Sequence, residues 1–148
     1  MDIRLTRTGE YAVRAAIALA AAYPGLRKIR EVSQEASLPA SYTPHVLKML
    51  ATAGLADARA GRAGGYRLSR APKEVSLLEV VEAVEGPIGN DRCTLRGSAC
   101  TPLLPCEVHP AWADLRAELR SSLSRWTVGA LAEPGRFLAR VPAAPARK

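Results

Sequence analysis

The stretch from Ile29 to Ser69 constrains the fold more than any other. Ile29 to Ala36 reads as a short helix, and Ser37-Leu38-Pro39-Ala40 as a tight connection. Ser41 or Thr43 can cap the next helix, with Pro44 at its first position, where a missing N–H costs nothing. That helix runs to about Thr52 and ends at Ala53-Gly54. Helix, short turn and helix at this spacing form the helix-turn-helix pattern, although an ordinary helical hairpin has the same outline. The following residues separate the two readings. Leu55 to Ala58 can form a strand, Arg59-Ala60-Gly61-Arg62-Ala63-Gly64-Gly65 a basic turn, and Tyr66 to Ser69 a return strand. A basic hairpin placed directly after a helix-turn-helix reads as the wing of a winged-helix DNA-binding domain. Glycine lets such a tip approach a phosphate, and arginine can enter a narrow minor groove. The alternative is a loop with solvated arginines. The candidate DNA contacts are Ser41, Tyr42, Thr43, His45 and Lys48, with Arg59, Arg62 and Gly64 in the wing. A formal net charge of +7 suits a polyanionic partner, with nucleic acid ahead of a membrane surface.

The flanking segments are mostly helical. Leu5 to Glu10 leads into a helix from Tyr11 to Tyr23, stopped by Pro24-Gly25, with Glu10 in its first turn. The apolar run from Ala15 to Tyr23 is too short to span a bilayer. Ser76 and Glu79 have capping-box spacing at the start of another helix, which Gly86-Pro87 ends. Pro110 opens a long helix to about Arg125. Trp112, Leu115, Leu119, Leu123 and Trp126 recur along it at three and four residues, and Arg116, Glu118, Arg120 and Arg125 lie off that seam. Such a seam can pack within the subunit or join two; since the preceding helices can form a core, the dimer is favoured. A short final helix begins near Trp126-Thr127-Val128, and Pro142 to Lys148 reads as a disordered tail. The expected fold is mainly α with a small β-hairpin: a winged helix-turn-helix domain plus a long dimerisation helix. Its divisions are a DNA-binding domain over 1–72, a connecting helix and cysteine loop over 73–109, the dimerisation and final helices over 110–134, and a flexible tail over 135–148.

All three cysteines lie in one loop. Six residues separate Cys93 from Cys100, five separate Cys100 from Cys106, and His109 follows two residues further on. Three thiols and one imidazole on a loop bearing Gly97, Pro102 and Pro105 are the donors that bind iron–sulfur clusters or zinc. Unrelated cysteines rarely share one loop with a histidine. An odd cysteine count without a secretory signal points to a reducing cytoplasm rather than a disulfide framework. A cysteine enzyme would need a general base and a pocket. The only other histidine, His45, falls in the candidate recognition helix, and no catalytic constellation is present.

Taken together, several pieces resemble the bacterial iron–sulfur winged-helix transcriptional regulators that include IscR and NsrR. They are Arg4-Leu5-Thr6, Gly9-Glu10-Tyr11-Ala12-Val13, Ser41-Tyr42, Leu47-x-x-Leu50, Ala53-Gly54-Leu55, Gly61-x-x-Gly64-Gly65-Tyr66-x-Leu68 and the three-cysteine loop. The Cys106-x-x-His109 ending followed by Ala111-Trp112 is most similar to the assembly-regulator branch, and the resemblance runs from Arg4 to about Pro134. It implies a repressor that is a homodimer on promoter DNA, with three cysteines per subunit holding a cluster. The cluster state would control DNA binding in response to redox stress, iron–sulfur supply or nitric oxide. It implies His109 as fourth ligand and [2Fe–2S] ahead of [4Fe–4S]. Glu10 is the alternative fourth ligand, though its ordinary reading is a first-turn carboxylate. Three departures stand out. The first cysteine spacing is six where the family often has five, Pro44 replaces a carboxylate used for discriminating DNA sites, and Arg62-Ala63 replaces a denser glycine run. A zinc-stabilised DNA-binding regulator without sensing is the alternative.

Overall fold

A computed structural model describes residues 3–89, 93, 95 and 106–134. The expectations for Cys100, for the loop prolines and for the tail beyond residue 134 therefore lie outside the described residues. The order of elements is α1 (Arg7–Ala22), α2 (Ile29–Glu35), α3 (Thr43–Thr52), β1 (Ala56–Arg59), β2 (Gly65–Leu68), a 3-10 turn (Pro72–Glu74), α4 (Leu77–Glu85), α5 (His109–Arg125) and α6 (Val128–Leu131). This is the mainly helical, hairpin-bearing fold expected.

Helix α1 is the hub. Every residue from Tyr11 to Ala20 is buried, and α2, α3, α4, α6 and β2 all pack on it. Five alanines in that run let neighbouring backbones come close from several sides at once. Ile17 and Leu19 fill the space left, against Val32, Val46, Leu47, Leu50, Leu68, Val80 and Val128. Burying one such aliphatic side chain contributes about 1.5–3 kcal/mol. The helix begins at Arg7, four residues before the expected Tyr11, because Thr6 caps it by accepting from the Gly9 amide at 3.2 Å.

The turn between α2 and α3 is built by two buried hydroxyls. Ser33 donates to the Leu38 carbonyl at 2.8 Å, and Thr43 donates to the Pro39 carbonyl at 2.9 Å. Helix α3 therefore has no side-chain cap: its N-cap is Tyr42, with Thr43 first and Pro44 second. Neither Ser41 nor Thr43 does the capping expected of it. The hairpin is displaced by one residue at each strand, pairing Ala56 with Leu68 and Arg59 with Gly65. Arg59 thus ends a strand instead of opening the turn. Arg27 adds a bridge to Tyr66, with reciprocal amide–carbonyl bonds of 2.8 Å, so the segment before α2 lies alongside the hairpin.

Ser76 caps α4, accepting from the Glu79 amide at 3.2 Å, while Glu79 accepts from the Ser76 amide at 2.9 Å. Helix α5 starts at His109, one residue before the expected boundary at 110. Its far end returns to the body through Leu77 N–H to the Trp126 carbonyl (2.8 Å) and Val128 N–H to the Val75 carbonyl (2.9 Å). No described helix is long and apolar enough to cross a membrane.

Replacing Ser76 with Ala should lower stability by about 1 kcal/mol, read from the urea midpoint. Partial burial pushes the Glu79 carboxyl up, but the Ser76 amide and hydroxyl and the Arg70 guanidinium outweigh it and hold the pKa below the usual value. Stability from a depressed carboxyl is present above the unfolded pKa, about 4.3, and is lost as pH falls through the lower folded value. The stability gap between wild type and Glu79→Gln should be full at neutral pH and should close in acid; urea titrations across that range measure it.

Candidate nucleic-acid interface and cysteine site

The turn and α3 place Ser41, His45 and Lys48 on the surface, spaced four and three residues apart on one face. His45 and Lys48 also border an open depression with Met49, Thr52, Ala53 and Ala83. Two other candidates point elsewhere. Thr43 is fully buried and its hydroxyl is engaged with Pro39, so its side chain is not available to a ligand. This corrects its assignment as a contact, and the reason is the turn it holds. Tyr42 is half-buried. Its hydroxyl shares a 2.8 Å hydrogen bond with Thr8, and its ring lies edge-on to Tyr11 at 5.7 Å and 5.2 Å from the His45 ring.

On the hairpin, Arg59 and Arg62 are exposed, at the end of β1 and in the tip. Gly64 is buried, and a Cβ there would overlap the backbone of Arg59 and Ala60. Its glycine serves the turn from within. Gly65, at φ +151°, similarly faces the Arg27 carbonyl with no room for a side chain. The Arg27 segment was missed by sequence reasoning because a single bridge has no alternating pattern to announce it.

The cysteine loop leaves α4 and enters α5. Cys93 is buried and Cys106 half-buried, with the two sulfurs 3.6 Å apart. A tetrahedral metal with sulfur ligands at about 2.3 Å holds two thiolates about 3.8 Å apart, so this pair fits a shared metal atom, whether iron or zinc. His109 is half-buried at the first position of α5, and its amide donates to the Cys106 carbonyl at 2.9 Å. Among the described residues, neither His109 nor Glu10 joins the two cysteines in a group of three able to hold a metal ion. Glu10 is exposed in the first turn of α1, 2.6 Å from Arg14. Arg14 is itself buried, and its Nη1 has no hydrogen-bond partner among the described residues.

Helix α5 lies on α4, with Trp112 and Leu123 half-buried and Leu115, Leu119 and Trp126 exposed. Leu119 and Leu123 line an apolar groove with Leu5, Leu77, Val81 and Ile88.

Residues 5–134 match the Rrf2 family, iron-dependent transcriptional regulators. The chain belongs to the Rrf2 family. The HTH-type transcriptional regulator IscR of Aliivibrio salmonicida is 30% identical over 130 residues, covering 87% of this chain and 77% of that protein. IscR of Escherichia coli O1:K1 is also 30% identical over 130 residues, covering 87% of this chain and 80% of its own. Among solved structures, CymR, the global cysteine regulator of B. subtilis, superposes with a TM-score of 0.72 at 23% identity, covering 88% of this chain and 97% of that one. T. potens IscR gives a TM-score of 0.70 at 19% identity, covering 97% and 96%. At those identities the structures establish the fold alone. This Rrf2 protein is a DNA-binding transcriptional regulator, and its relatives are regulators, not enzymes, which removes the cysteine-enzyme reading.

Proposed function

We propose that this Rrf2 regulator is a cytoplasmic homodimeric repressor whose promoter binding is controlled by an iron–sulfur cluster in the cysteine loop. The observation that carries the reading is the Cys93–Cys106 pair, with sulfurs 3.6 Å apart at the foot of α5. Cys100, the remaining cysteine, is the third ligand, and His109 is the favoured fourth, with Glu10 the alternative. A [2Fe–2S] cluster is favoured over [4Fe–4S], since histidine ligation is well attested for that type. When bound, the cluster supplies a link between the loop's ligands that oxidants or nitric oxide can alter.

The chain's own residues do the rest. Ser41, His45 and Lys48 read or steady the duplex from α3, while Arg59 and Arg62 meet it from the wing. The α5 seam supports a dimer because Leu115, Leu119 and Trp126 are 43%, 36% and 47% exposed, and Leu119 also lines the apolar groove. In that dimer α5 sets the spacing of the two α3 helices. Half-sites lie roughly 34 Å apart, so a small tilt of one subunit misplaces its reader. The zinc alternative is favoured only by the 3.6 Å sulfur separation, which zinc would fit equally well.

Three measurements check the proposal. Arg62→Ala should weaken duplex binding and flatten its salt dependence by about one phosphate-equivalent; unchanged affinity and slope would remove the wing from the interface. Leu119→Asp should give monomers in sedimentation, because a buried unpaired charge is costly; a persisting dimer would place the seam outside the interface. Anaerobic reconstitution should give a coloured protein with iron and sulfide, lost in Cys93→Ala, Cys100→Ala and Cys106→Ala. His109→Ala should shift the spectrum. A shift in Glu10→Ala alone would make the carboxylate the ligand, and a colourless protein containing zinc would favour the alternative.

A further inference from the structure

Two carboxylates three residues apart on α4 grip different parts of the molecule. Glu82 accepts from the Ile88 amide at 3.0 Å and from the Arg120 guanidinium of α5. The same guanidinium donates to the Ile88 carbonyl at 3.2 Å. Ile88 stands between the end of α4 and Cys93, so this knot joins the root of the cysteine loop to α5. Glu85, one turn further on, accepts from the Thr6 amide at 2.8 Å and the Thr6 hydroxyl at 2.6 Å. That hydroxyl in turn accepts from the Gly9 amide and caps α1. The approach is close enough that any side chain at Gly9 would displace the Glu85 carboxylate. Two residues after Thr6, the Thr8 hydroxyl meets that of Tyr42, the residue from which α3 starts. The amides of His45 and Val46 both donate to the Tyr42 carbonyl, at 3.1 and 3.3 Å.

We infer that α4 is a relay, in which Glu82, Glu85, Thr8 and Tyr42 are positioning residues that carry the arrangement of the cysteine-loop root to the first turn of α3. The links from α4 to α5, to the cap of α1 and from α1 to the start of α3 are discrete hydrogen bonds, either made or broken. Moving Ile88 pulls on Glu82 and Arg120. The rigid last turn of α4 passes that movement to Glu85, and α1's first turn passes it to Tyr42. The Thr6–Glu85 bonds are exposed and the other links half-buried, and one such hydrogen bond contributes only modestly to holding the fold. Their loss should therefore change the attitude of α3 rather than unfold the chain. The consequence for DNA rests on the DNA-binding reading above; the relay itself does not.

The test uses the full chain and two readouts. The first is amide hydrogen exchange without DNA. In Glu85→Ala, Thr8→Val and Arg120→Gln, the amides of His45 and Val46 should exchange about threefold to tenfold faster, the worth of one hydrogen bond. Amides in the middle of α1 should keep their protection, and Glu85→Gln, which retains an acceptor oxygen, should stay near wild type. The second is a double-mutant cycle on duplex affinity. Arg120→Gln should weaken binding several-fold in the wild-type background and have no further effect when Tyr42→Phe is already present. Unchanged exchange at His45 and Val46, a uniform rise that includes α1, or additive effects in the cycle would each overturn the relay. A protein with the expected exchange pattern that binds no duplex would instead overturn the DNA-binding reading and leave the relay standing.

Discussion

Close packing around α1 is the constraint on which the other elements depend. A helix touched by α2, α3, α4, α6 and the hairpin cannot carry bulky side chains on every face. Alanine at positions 12, 15, 16, 18 and 20 resolves that crowding, while Ile17 and Leu19 supply the volume. The cost of this economy is sensitivity. An added methylene in such a region is felt by several helices at once, since interiors are packed to crystal-like density. The same geometry brings α3, the hairpin and the α4 end of the cysteine loop onto one shared body.

Polar groups are used where helices must meet at defined angles. Ser33 and Thr43 set the corner between α2 and α3, and Ser76 with Glu79 sets the start of α4. Glu82 and Glu85 fix the two sides of α4's last turns. Apolar contacts hold these helices together without direction, and the directional hydrogen bonds add to the selection of one arrangement. A regulator needs that selectivity, because a reader misplaced by a fraction of a base-pair step loses its contacts. The chain belongs to the Rrf2 family over residues 5–134, so the winged-helix body is common ground with IscR and CymR.

Among the described residues, α5 differs from the other long helices in having no buried residue of its own. It is anchored by Arg120 to Glu82 and Ile88, and by Trp126 to Leu77. Ahead of those anchors it presents Leu115 and Leu119 to the outside. Its position is therefore governed by a few polar ties at one side and by whatever covers its seam at the other.

What the sequence alone determined was local. Alternation and glycine placement marked the hairpin, Pro24, Gly54 and Gly86 marked helix ends, and Ser76 with Glu79 marked a capping box. These signals act within four or five residues, so they survive without knowledge of the fold. The exposure of the candidates Ser41, His45, Lys48, Arg59 and Arg62 follows from the same local patterns. Only the tertiary structure decided the rest. Thr43 looks like a helix-start contact in sequence, yet the turn folds its hydroxyl back onto Pro39. Gly64 looks like an opening toward a ligand, yet the hairpin closes its own backbone over it. The pairing of Glu85 with Thr6, 79 residues apart, leaves no periodicity or spacing to read. Such contacts arise from how the helices cross around α1, and crossing geometry is a property of the packed whole.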